Sequence, residues 1–165
     1  MLYLANHTRE HSQETRRALL AVDGYLYFNM AQEALAELGS IHRKDQHDPQ
    51  VLLAQIRVLL HLKQWSPAEM LSARGASQYP EEDEFTVQRA FALHQMHMGE
   101  MAMDVLLSAP DWLRSTGILH YNLACYEARL GDLSIARQCM NTAIKLNSAI
   151  KKNARIDPDL WALWS

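Results

Sequence analysis

His94 and His97 stand three residues apart in a stretch of helical character, about one turn apart, where two imidazoles can share a metal ion. No carboxylate or cysteine close in sequence supplies a third ligand. The pair is therefore read as polar positions exposed at a helix end, with no metal site. Cys125 and Cys139 are the two cysteines of the chain. They fall on the two halves of one helical hairpin and are expected to be buried free thiols. So few cysteines make no disulfide framework, which points to a reducing, cytoplasmic setting. The sequence offers no nucleophile beside a base, no glycine-rich phosphate loop and no paired carboxylates in a plausible cleft. It reads as a non-enzyme, with no catalytic residues and no cofactor, and its function has to lie in a binding surface.

The scaffold for such a surface follows from composition and period. The chain has 165 residues, 48% of them apolar and 21% charged, with six Gly and five Pro. That is enough for one domain with a sizeable core, and the scarcity of turn residues favours long helices. A net charge of −3 excludes a dedicated nucleic-acid binder. The N-terminal "MLYLANHTREHSQETRR" lacks the basic-then-apolar order of a signal peptide, and no apolar run approaches a membrane span.

Ala34, Ala68, Ala102 and Ala136 recur at an unbroken spacing of 34 residues, each in a helical context. Twelve residues before them stand Val22, Ile56, Ala90 and Ala124, all apolar. Seven after them stand Ile41, Gly75, Ala109 and Ala143, mostly small, as a close helix crossing requires. The stretch "HYNLACYEARLGDLSIARQC", residues 120–139, carries the pattern best, with Leu123-Ala124, Gly131, Ala136 and then Ala143 in phase. The chain thereby resembles the tetratricopeptide repeat (TPR) family, whose helix–turn–helix unit has this length. The likeness covers about residues 15–150. His120 stands where the family has Trp, and the first three units are more degenerate.

The resemblance implies an all-α TPR superhelix of four helix–turn–helix repeats plus a C-terminal capping helix. The expected division is an N-terminal extension over 1–14, units at 15–48, 49–82, 83–116 and 117–150, and a capping segment over 151–165. Helices are expected near 13–28, 31–44, 49–62, 66–78, 83–97, 99–108, 117–130, 133–147 and 157–164. Asp48-Pro49, Ser66-Pro67 and Asp157-Pro158 each read as an N-cap followed by Pro at the first helical position. The first helices end at Asn29, Lys63, His97 and Gly131, of which only Asn29 and Gly131 suit a left-handed cap.

In TPR arrays the first helix of each hairpin faces a concave groove. The resemblance implies a protein-binding surface there made by Tyr27, Arg57, His61, Gln88, Phe91, Gln95, Asn122 and Arg129. Arg57 and Asn122 alone match the basic and amide residues of the chaperone-tail clamps, so that subgroup is set aside. Within the family, "YNLACYEARLGDLSIA" is similar to bacterial kinesin-light-chain-like proteins. That likeness implies a monomeric adaptor that binds and stabilises bacterial tubulin filaments; the alternative is a small TPR chaperone of bacterial secretion. In the tail "AIKKNARIDPDLWALWS", Leu160, Leu163 and Trp164 share one helical face, with Trp161 beside them. A cap on unit four is expected, ahead of a membrane-surface anchor assisted by Lys145, Lys151, Lys152 and Arg155.

Overall fold

The computed structural model describes residues 12–164; the N-terminal extension up to residue 11 and the final Ser165 lie outside the described residues. The described chain is all-α. Its helices are α1 (Gln13–Tyr27), α2 (Ala31–Gly39), α3 (Pro49–His61), α4 (Trp65–Gln78), α5 (Asp83–Gln95), α6 (Gly99–Leu107), α7 (Asp111–Arg114), α8 (Gly117–Leu130), α9 (Leu133–Leu146), α10 (Ile150–Ala154) and α11 (Trp161–Trp164). The second helix of each pair begins at 31, 65, 99 and 133, so the 34-residue phase of the alanines is kept to the residue.

The three periodic columns form the interior. Ala34, Ala68, Ala102 and Ala136 are 0% exposed, as are Val22, Ile56, Ala90 and Ala124. In the third column the tightest position is Gly75. A Cβ there would lie 2.3 Å from Cδ1 of Phe85, a fully buried ring stacked on Tyr79. Glycine is thus required by the close approach of α4 to α5.

Every first helix ends in a left-handed residue: Asn29 (φ 59°), Lys63 (φ 56°), His97 (φ 62°) and Gly131 (φ 95°). Lys63 and His97 do so against their intrinsic preference, because the hairpin geometry repeats even where the residue does not suit it. Helix starts follow the sequence at Asp48, whose carboxylate accepts from Gln50 N–H ahead of Pro49. Ser66-Pro67 does not cap α4: the helix begins at Trp65 and contains both residues. The second helix ends at Gly39, well before 44, and a 3-10 turn over Arg43–Asp45 follows. Gln46 closes this loop by donating to the carbonyl of Ile41 at 2.9 Å.

The chain divides into two compact units, Met1–Leu62 and Lys63–Ser165. In the first, Ala18, Val22, Leu26, Ala34, Leu38 and Ile41 pack with Val51, Ala54 and Val58. In the second, Leu93, Leu106, Leu113, Leu119, Tyr126 and Met140 lead a larger core that also takes in Leu160 and Leu163 of the tail. The capping segment is not one helix over 157–164. It consists of α10, a 3-10 turn over Pro158–Leu160 and the single turn α11, packed on α8 and α9.

Candidate functional site: the first-helix faces and the C-terminal segment

In the first unit, the residues expected to bind are on the surface of α1 and α3. Tyr27 is 85% exposed and meets Phe28, itself 70% exposed, edge to face at 5.2 Å. Arg57 donates to Asp23, 34 residues earlier, at 3.2 Å. His61 is exposed at the end of α3.

In the second unit the expected residues part company. Phe91 is half-buried and packs edge to face on Trp65 at 6.3 Å, Gln95 is half-buried, and Gln88 donates to Glu84 one turn earlier. Asn122 is withdrawn from the surface: it is buried, and its amide donates to the Ile118 carbonyl at 2.9 Å. Arg129 is engaged, though not by a partner. Its guanidinium donates to Asp159 at 3.2 Å and to His97 Nδ1 at 3.3 Å.

Asp159 belongs to a cluster that the sequence did not suggest. His94 is buried, 4% exposed, stacked on Tyr126 with ring centroids 4.3 Å apart, and its Nε2–H donates to the other Asp159 oxygen at 3.0 Å. The expectation of two exposed histidines therefore fails for His94, because its ring fills the gap between α5 and α8. Two residues earlier in the tail, Asp157 accepts from the Tyr121 hydroxyl and lies 3.7 Å from Cys125 Sγ. Its other oxygen accepts from Asp159 N–H, which fixes the turn. Leu160 is fully buried and Leu163 nearly so, and Arg137 donates to the Leu163 carbonyl at 2.7 Å. Trp164 donates to the Ala154 carbonyl at 3.0 Å, yet both Trp161 and Trp164 remain largely exposed. Leu160 and Leu163 are the buried apolar anchors of the segment.

Burial sets the protonation of the cluster. It pushes the His94 imidazole below its ordinary value, against the pull of Asp159. It drives the Tyr121 phenol and the Cys125 thiol far upward, with Asp157 adding to both. Cys125 is thus held as a thiol and is no nucleophile. Among the described residues no group of three or more His, Cys, Asp or Glu is arranged to hold a metal ion. Both cysteines are free, as expected, Cys125 buried and Cys139 half-buried. Of the methionines around the third hairpin turn, Met103 packs on the core while Met98 and Met101 are exposed. What the cluster does chemically is hold two carboxylates with an imidazole, a guanidinium and a phenol. That is recognition chemistry. Asp157-Pro158 had signalled only a helix start, and no local pattern marks a carboxylate that pairs 65 residues away.

The fold is that of a TPR-type helical repeat. Two solved structures of MamA RS-1, one a double mutant and one running from position 41 to the end of the Desulfovibrio magneticus RS-1 protein, superpose with a TM-score of 0.67. They do so at 17% identity over 87% of this chain and 81% of theirs. MamA AMB-1 is similar at a TM-score of 0.61 and 13% identity, over 93% of this chain and 88% of that one. No protein-family model matches the sequence, and no curated protein matches it. Among the described residues no helix is long and apolar enough to cross a membrane.

Proposed function

We propose that the protein is a non-enzymatic adaptor that binds another protein through the surfaces of its first helices. The observation that supports this best is the division of labour along those helices. The apolar column Val22, Ile56, Ala90 and Ala124 closes the interior at fixed phase, while Tyr27, Arg57, His61, Phe91 and Arg129 keep aromatic and cationic groups at or near the surface. Aromatic and Arg side chains are the usual anchors of protein interfaces. The fold shared with MamA is compatible with this role.

Within the class, binding of bacterial tubulin filaments rests on the likeness of the fourth unit to kinesin-light-chain-like proteins. Its two expected charges, Arg57 and Arg129, already face Asp23 and Asp159. Secretion chaperoning, by masking an apolar segment, would draw instead on exposed Tyr27 and Phe28. Affinity capture from the native cell with the unmodified chain and a Tyr27→Ala/Phe91→Ala variant tests the adaptor reading. A specific protein retained by the first and lost by the folded second is expected; equal retention by both would count against these faces. Co-sedimentation with bacterial tubulin filaments separates the two finer roles.

A further inference from the structure

The strongest unassigned feature is the donor set on α5 and α8 that the chain fills with its own tail. Tyr121 and Cys125 meet Asp157; His94 and Arg129 meet Asp159; Leu160 and Leu163 follow into the core. Residues 125 and 129 occupy the same repeat positions as Asp23, Arg57 and Phe91 and as Tyr27, His61 and Gln95, respectively, 34 residues apart. The tail therefore sits, within the second unit, on repeat positions equivalent to those of the recognition surfaces proposed above. We propose that residues 157–164 are a resident ligand, and that this face takes in trans a partner segment of the same chemistry: two carboxylates two residues apart, then Leu and a second apolar residue three further on. The proposal rests on the adaptor reading and names the kind of segment the adaptor would bind.

Three observations favour exchange over a permanent cap. The anchor is small: α11 is a single turn, and only Leu160 and Leu163 of the segment are buried. Solvent reaches the chain just before the segment and within it, with Ile156 74% and Trp161 62% exposed. The Arg129–Asp159 pair is partly exposed, 39% and 21%, so solvent competes for it. A tail closed in cis lowers the apparent affinity of an incoming segment by the fraction of time the face is open. Entry is thus restricted to segments that match both carboxylates, the leucine and the second apolar residue.

The probe is a fluorescein-labelled synthetic peptide with the sequence of residues 155–164, titrated into the full chain and followed by anisotropy. Weak binding is expected to the unmodified protein. The full chain carrying Asp157→Ala and Asp159→Ala should bind the peptide at least tenfold more tightly, because its own tail competes less. Adding Arg129→Glu to that variant should abolish the gain, as should Asn at both acidic positions of the peptide. In case the double variant folds poorly, the indole N–H resonance of Trp164 in the unmodified chain provides a second measurement. Saturating peptide should shift it as the bond to Ala154 is lost. Equal affinity for the unmodified chain and the double variant overturns the proposal, as does a Trp164 resonance unmoved at saturation. A concentration-dependent dimer formed by tail exchange would also overturn it, by making a second copy the occupant. If the peptide fails while affinity capture still retains a partner, the resident-ligand idea falls and the adaptor reading stands.

Discussion

Lys63 is the residue whose replacement tests the repeat geometry most directly. Its φ of 56° places a side chain with a Cβ in the left-handed region, where an L-residue costs about 1–2 kcal/mol. Glycine adopts that region freely but loses about 0.5–1 kcal/mol of extra backbone entropy on folding. Lys63→Gly should therefore stabilise the protein by roughly 0.5–1 kcal/mol, or raise Tm by about 1–4 °C for a chain of this size. His97→Gly removes the same strain at φ 62° but also the imidazole nitrogen that accepts from Arg129, so its gain should be smaller. Gly131→Ala, at φ 95°, should cost about 1 kcal/mol. Gln138→Gly on exposed α9 is the control: a helix-interior glycine should destabilise by about 1 kcal/mol. Urea unfolding with unchanged m-values, alongside thermal melts, reads all four. If Lys63→Gly destabilises as much as Gln138→Gly, the left-handed hairpin end is not a recurring constraint of this fold and the reasoning fails.

Ala68→Leu and Ala136→Leu should each cost about 1–3 kcal/mol by overpacking a fully buried crossing, while Ala36→Leu on the exposed side of α2 should be near neutral; equal Tm shifts for the three would contradict the assigned phase. Gly75→Ala should destabilise by about 1–3 kcal/mol, because its Cβ would clash with the Phe85 ring at 2.3 Å, and Phe85→Leu in the same chain should recover part of the loss. Stability should also fall on acidification from neutral pH. The folded state holds the His94 pKa below the ordinary 6.5, so below that value the unfolded chain binds the proton first and gains relative stability. The contribution is complete above the unfolded value and is lost as pH drops toward the folded one. His94→Gln should flatten this part of the profile in urea melts taken between pH 7 and 5, and an unchanged slope would show that His94 is not its source.

How much was legible beforehand divides along a physical line. The sequence by itself determined the helical class, the 34-residue phase and the buried columns, since a small residue at each helix crossing and a polar residue at each outer face leave a periodic record in one chain. It also determined Asp48 as a cap and the cysteines as free thiols, because both follow from local chemistry. Only the tertiary structure decided that Lys63 and His97 are left-handed, since the repeated hairpin overrules the preference of a single residue. It alone decided that the chain forms two compact units, that Asn122 turns inward onto its own helix, and that His94 is buried beneath Tyr126. It alone brought Asp157 and Asp159 onto the donors of α5 and α8. A contact between residues 65 apart depends on where the chain returns; the apolar face of Leu160 and Leu163 signals a cap on the fourth hairpin, but not which donors the two carboxylates meet there.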